Sequence, residues 1–245
     1  MRLDLALVAR GLARSRSHAR QMLEAGRVTL DGVVAVKPAA LVGDGAVIGV
    51  EPDPYVSRAA HKLLGALDES GVAVSGRVVD AGASTGGFTQ VLLERGATAV
   101  YAVDVGHDQL APGVRADPRV IAIEGLNLRE LALADVGGLP VDLVVADVSF
   151  ISLTLLLDRL FAVLTPAGSA LVLVKPQFEV GRAQLDSHGV VIGEPARVGA
   201  VENVVACARR LGWNLVWSAP SVLTGEKGNR EVFCLFRTAG QTSAD

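Results

Sequence analysis

Val78-Val79-Asp80-Ala81-Gly82-Ala83-Ser84-Thr85-Gly86-Gly87-Phe88 reads as the end of a strand, a glycine-rich turn and the start of a helix. Glycines let the backbone turn sharply and come close to a ligand. The helix start that follows offers N–H groups without intrahelical partners. A second apolar strand, Ala99 to Val103, ends in the acid Asp104, 18 residues after Gly86. A carboxylate there can accept both ribose hydroxyls of an adenosine. Nicotinamide and S-adenosylmethionine (SAM) binders share these features. The order of residues favours SAM, because the loop is Asp-x-Gly-x-Ser-x-Gly-Gly and not Gly-x-Gly-x-x-Gly. A carboxylate ahead of the loop repels a pyrophosphate and suits the ammonium of a methionine moiety. The expected cofactor contacts are Asp80, Gly82, Ser84, Thr85, Gly86, Gly87, Phe88, Asp104 and Asp147, with Asn127 near the adenine.

Outward from the loop, apolar runs recur at Val120 to Ile123, Leu143 to Ala146, Ala170 to Val174, Leu215 to Trp217 and Val232 to Phe236. Helical segments separate most of them, notably Gly87–Arg95, Ser152–Leu164 and Arg197–Leu211. Such alternation predicts an α/β fold, a mainly parallel seven-stranded Rossmann-like sheet with helices on both faces. Asp147 ends the fourth strand and Lys175 the fifth. In an open sheet of this kind the carboxyl ends line the ligand crevice.

The first fifty residues read differently. Helices are expected over residues 2–10 and from an N-cap at Ser15 to Ala25, followed by short strands Arg27–Leu30, Val33–Val36 and Ala46–Val50 with turns at Asp31-Gly32 and Gly43-Asp44-Gly45. Glu51-Pro52-Asp53-Pro54 disfavours helix and central strand. The expected organisation is a small α+β domain over 1–50, a linker over 51–56, a large domain over 57–240 and a disordered tail from Thr238 to Asp245. A helix is expected to start at Ser57, with Ala60, Leu63, Leu64 and Leu67 on one face.

Charge follows the same division. The 245 residues carry a net −3, yet residues 1–62 hold nine Lys/Arg against six acids. Residues 10–27 alone hold five arginines and one acid. Clustered arginines repel one another unless a polyanion is expected nearby, which points to nucleic acid. Arg2, Arg14, Arg16, Arg20, Arg27 and Lys37 are the candidate RNA contacts. Half of the residues are hydrophobic, enough for a sizeable core, and the longest charge-free run is 15 residues, too short for a transmembrane helix. The start leaves no room for a signal-peptide core. Two cysteines, Cys207 and Cys234, make neither a disulfide framework nor a metal site. A monomeric cytoplasmic protein without metal is expected.

The pattern Arg2-x-Asp4, Gly11, Ser15-Arg16, Ala19, Gly26-x-Val28, Asp31-Gly32, Lys37-Pro38 and Gly43-Asp44 resembles the S4 RNA-binding domain. The remainder resembles the FtsJ-type ribose 2′-O-methyltransferases, and the combination resembles the TlyA family of haemolysin-named 16S/23S ribosomal RNA methyltransferases. Carrying this are Tyr55-Val56-Ser57-Arg58-Ala59-Ala60-His61-Lys62-Leu63, the glycine loop, Asp147-Val148-Ser149-Phe150-Ile151-Ser152, Lys175-Pro176-Gln177-Phe178-Glu179 and Gly228-Asn229-Arg230-Glu231. The resemblance implies SAM as cofactor, cytidine ribose in ribosomal RNA as target, and a catalytic tetrad falling on Lys62, Asp147, Lys175 and Glu231. The proline-rich linker lacks the basic-aromatic tetrapeptide of some members, so coupling through it is not expected.

The tetrad also makes chemical sense by itself. A ribose hydroxyl must lose its proton as it attacks a methyl group. A lysine can take that proton only when neutral, a state favoured by desolvation and a second cation. Lys175 would be the base, Lys62 the cation, Asp147 the group that orients Lys175, and Glu231 the holder of Lys62 or the ribose. Competing chemistries lack their residues. Exocyclic-amine methylation wants Asp/Asn-Pro-Pro-aromatic where Asp147-Val148-Ser149-Phe150 stands, and carbon-5 methylation wants a cysteine nucleophile at a strand end. A nicotinamide oxidoreductase and a membrane-lytic protein are the remaining alternatives.

Overall fold

The structure is a computed structural model that describes residues 1–43, 45–225 and 227–238. Asp44 of the expected turn and residues 239–245 of the expected tail lie outside the described residues, whereas Thr238, expected to open that tail, ends a strand. The chain forms two compact units, Met1–Pro54 and Tyr55 onward.

In the first unit, α1 (Leu3–Ala9) and α2 (Arg16–Glu24) precede β1 (Val28–Leu30), β2 (Val33–Val34) and β3 (Ile48–Val50). Ser15 caps α2, its hydroxyl accepting from the His18 N–H at 3.1 Å. The strands form an antiparallel sheet in the order β2-β1-β3. Leu3, Ala6, Leu7, Ala19, Met22, Leu23 and Val28 make a core of their own. Leu5 is exposed and Ala6 buried, so the apolar side of α1 runs through Leu3, Ala6 and Leu7. The strands are shorter than expected. Asp53, from the expected linker, is tied back to this unit by Arg27 at 3.0 Å.

The second unit begins with α3 (Ala59–Ser70) and continues β4 (Arg77–Ala81), α4 (Gly87–Glu94), β5 (Ala99–Asp104), α5 (Pro112–Arg115), β6 (Val120–Glu124), β7 (Val141–Ala146), α6 (Leu157–Ala162), β8 (Leu164–Val174), α7 (Pro176–Glu179), α8 (Glu194–Arg210), β9 (Trp213–Pro220) and β10 (Val232–Thr238). Their order is β6-β5-β4-β7-β8-β10-β9. The first five are parallel, and β10 is antiparallel to both β8 and β9. Alternate residues bury on opposite faces. Val79, Val144, Val172 and Cys234 pack with α6 and α8, whereas Val78, Val145, Leu173 and Phe233 pack with α3 and α4. Burial on both faces is why these strands read as continuous apolar runs.

One expected helix is cut short. Of Ser152–Leu164, only Leu157–Ala162 is α-helical, after a 3₁₀ turn at Leu153–Leu155, and Leu164 already belongs to β8. Glu179 accepts from the Ser152 hydroxyl at 2.5 Å and the Leu153 N–H at 2.8 Å, tying this turn to α7. The chain order reverses between β4 and β7, which places the topological switch point, the usual ligand crevice of such sheets, at Gly82 and Asp147.

Candidate active site

The glycine loop leaves β4 by a sharp turn. Gly82 has φ +87°, and a Cβ there would stand 2.8 Å from the Asp147 carbonyl oxygen. Only glycine permits this crossing of the two strand ends. Gly86 has φ +93°, and a Cβ there would press on Leu110 and Val114 at 2.9 Å, so its role is packing at the helix entry.

Asp104, at the end of β5, points back to the loop. Its Oδ2 accepts from the Ser84 N–H at 2.8 Å and its Oδ1 from the Gly106 N–H at 2.7 Å. Each carboxylate oxygen keeps a second lone pair for a ligand. Beside it lies a cavity of about 520 Å³ lined by Gly82, Ser84, Asp104, Asn127, Asp147, Ser149, Phe150 and apolar side chains including Leu126 and Leu128. Asn127 does two things, lining the cavity and capping a 3₁₀ turn by accepting from the Arg129 N–H at 3.1 Å. A second cavity of about 220 Å³ shares Gly82, Ser84, Asp147 and Ser149 and adds Ser57, Thr85, Gly87, Phe88 and Lys175.

Asp80 stands behind these cavities. It is fully buried and its Oδ2 accepts from the Thr89 hydroxyl at 2.6 Å, facing α4. Burial pushes its carboxyl up to about 7, the Thr89 hydrogen bond opposing. The strand face that Asp80 shares with Val78 is covered by α3 and α4, and Asp80 Oδ1 is buried without a hydrogen-bond partner among the described residues.

The four tetrad residues form two ion pairs. Lys175 Nζ lies 2.6 Å from Asp147 Oδ1 and donates to Ser149 Oγ at 2.8 Å. The Lys175–Asp147 contact is an ion pair without an aligned hydrogen bond, and Asp147 Oδ1 is buried with no hydrogen-bond partner among the described residues. Lys62, on the buried face of α3, meets Glu231 Oε2 at 2.5 Å. Glu231 Oε1 accepts from Gln177 Nε2 at 3.3 Å. Gln177 is two residues beyond Lys175, so it links the α7 entry to the second pair. Glu231 thus holds Lys62, one of the two roles expected of it. Lys175, Lys62 and Glu231 are all nearly withdrawn from water, as catalytic carboxylates and lysines often are.

Ser149 and Gln177 carry contacts that sequence reasoning did not assign to them, although both stand beside tetrad residues in the quoted motifs. Two other motif residues hold the scaffold. Arg58 donates to the Thr224 carbonyl at 2.7 Å, and buried Asn229 donates to the Gly189 carbonyl at 3.0 Å and accepts from the Val191 N–H at 3.0 Å. Phe150 is 91% exposed at the cavity rim, with φ +66° and its ring 5.2 Å from that of Phe178. A bulky residue held in the left-handed region is strained backbone.

In the first unit Arg2, Arg16 and Arg20 gather around Asp4. Arg14 and Lys37 are exposed, whereas Arg27 is mostly buried against Asp53 and faces inward.

The FtsJ-like methyltransferase family matches residues 55–238, and the S4 domain matches residues 1–48. The chain belongs to the FtsJ-like methyltransferase family. It is 49% identical over 241 residues, 97% of this chain and 90% of the other, to a Mycobacterium tuberculosis protein named 16S/23S rRNA (cytidine-2′-O)-methyltransferase TlyA. A solved structure named as a hemolysin from Streptococcus thermophilus is 36% identical with a TM-score of 0.75, covering 97% of this chain and 88% of that one. A Listeria monocytogenes structure named as a SAM-dependent methyltransferase is 16% identical with a TM-score of 0.55, covering 74% of this chain and 99% of that one, and shows the shared Rossmann-like fold. Among the described residues no helix is long and apolar enough to cross a membrane.

The donor set fits SAM. Asp104 and the apolar side chains of Leu126 and Leu128 line the larger cavity, and Asp147, ion-paired with Lys175, lines both cavities. An adenosine asks for a carboxylate and apolar surface, and the positively charged sulfonium and ammonium of the methionine part suit nearby carboxylates.

Proposed function

We propose that the chain transfers a methyl group from SAM to the ribose 2′-hydroxyl of cytidine in ribosomal RNA, acting in the cytoplasm on ribosomal subunits. The observation that carries this reading is the Lys175–Asp147 pair at 2.6 Å, set where the cofactor-sized cavity meets the smaller one. The names of the relatives support the substrate.

SAM supplies an electrophilic methyl group when bound. Asp104 holds the adenosine hydroxyls, and the loop from Gly82 to Gly87 shapes the backbone floor beside it. Asn127 and its apolar neighbours hold the adenine. Lys175 Nζ, in its neutral form, takes the proton of the attacking hydroxyl. Asp147 and Ser149 fix where Nζ stands, and alignment of nucleophile with methyl is the main task of the site. Glu231, itself held by Gln177, holds Lys62. Phe150 offers an exposed ring on which a nucleobase can stack. Arg2, Arg14, Arg16, Arg20 and Lys37 dock RNA through phosphates, which gives affinity with little sequence information.

The test is to incubate purified small and large ribosomal subunits with SAM and the protein, then map 2′-O-methyl groups along the RNA. New methyl groups on cytidine ribose are expected. Methylation confined to base atoms, or none on either subunit, would sink the reading.

A further inference from the structure

Asp4 is fully buried in the first turn of α1, yet it sits in the most arginine-rich part of the chain. Its Oδ1 accepts from Arg2 Nε at 3.0 Å, and its Oδ2 accepts from Arg2 Nη2 at 3.2 Å and Arg16 Nη2 at 3.1 Å. Arg20 Nε stands 3.8 Å from the same Oδ2. The three arginines come from two places, the residue before α1 and successive turns of α2, and their side chains remain 42%, 53% and 51% exposed. One carboxylate thus lies beneath three guanidiniums whose outer N–H groups face solvent. The Arg2 hydrogen bond, helped by that from Arg16 and opposed by desolvation, holds the Asp4 carboxyl down at about 2.

An isolated surface arginine samples many rotamers, and ordering it on a phosphate costs entropy. The guanidinium is a rigid fork, so anchoring one edge to a carboxylate sets the direction of the other donors. We propose that Asp4 is a positioning residue for RNA docking, holding Arg2, Arg16 and Arg20 as one preorganised array for phosphate oxygens. This rests on the reading that the first unit docks RNA. It carries an unusual sign. Long-range electrostatics alone says that removing an acid tightens binding to a polyanion, whereas preorganisation says that removing Asp4 weakens it.

The experiment measures binding to purified ribosomal subunits across a salt series, together with methyl-transfer kinetics and thermal melting. Asp4→Asn is expected to bind about tenfold more weakly, with a salt slope shallower by roughly one, the loss of about one phosphate contact. The loss falls on the KM for subunits and not on kcat. Arg16→Lys keeps the charge but loses the fork, and a loss of several-fold is expected. That variant is half-exposed and decides the matter if Asp4→Asn does not fold. Asp4→Asn binding as well as or better than the wild type overturns the proposal. So does Arg16→Lys at wild-type affinity, because charge alone then suffices. Arg16→Glu with Arg20→Glu at wild-type affinity shows instead that RNA does not dock on this face, and the underlying reading falls with it.

Discussion

Asp147 and Lys175 meet at 2.6 Å across two neighbouring parallel strands. Register pairs Ala146 with Val172, so Asp147 stands level with Leu173 and Lys175 lies two residues further along the chain, just past the end of β8. A diagonal neighbour of this kind is reached only by a long side chain. Lysine closes the gap, and its Nζ then comes to rest between Asp147 and Ser149.

Lys175→Ala is expected to lose methyl transfer by ~10² to 10⁴, the usual worth of a general base. SAM and RNA binding should remain close to wild type, because the base acts in the transition state. Single-turnover rates at saturating subunits check this, and a wild-type rate removes Lys175 from the role.

Asp104→Ala should weaken SAM binding by about 1–3 kcal/mol, the worth of charged hydrogen bonds. Part of that loss comes through the loop, since Asp104 also holds the Ser84 and Gly106 N–H groups. Calorimetry with SAM measures it, and unchanged affinity takes Asp104 out of the site.

Asp80 makes stability depend on pH. Its carboxyl sits near 7 in the folded chain against an ordinary 3.8, so between these values the folded state holds a proton that the unfolded state has lost. Stability therefore falls as pH rises through this window, by about 1.4 kcal/mol per pH unit at most. Asp80→Asn mimics the protonated form and still accepts from Thr89. Its melting temperature should match the wild type near pH 4, exceed it increasingly toward pH 7, and hold that lead above. Parallel melting curves at all pH values contradict the assignment.

Phe150→Ala should leave the melting temperature nearly unchanged, because the ring is exposed and its backbone strained. Methylation of subunits should fall by an amount equivalent to about 1–3 kcal/mol if a base stacks on the ring. Equal kinetics for variant and wild type would leave Phe150 without a part in substrate binding.

Much of the fold was legible because parallel strands buried on both faces leave unbroken apolar runs. All seven runs of the second unit, from Val78-Val79 to Val232–Phe236, became strands. The helix expected over Ser152–Leu164 came out shorter, and the turn before it is held by Glu179, 27 residues away from Ser152. Period and composition carry no trace of a partner so distant in sequence.

The chain's local chemistry by itself determined the glycine turn, the acids and lysine at strand ends and the arginine-rich first unit, because each is written in neighbouring residues. Only the tertiary structure decided how these groups pair. It put Asp80 behind the cavity against Thr89, turned Arg27 inward to Asp53, and matched Lys62 with Glu231 across 169 residues. Pairing depends on which strand lies beside which and on which face a side chain leaves its element, and both are settled by packing of the two apolar layers around the sheet.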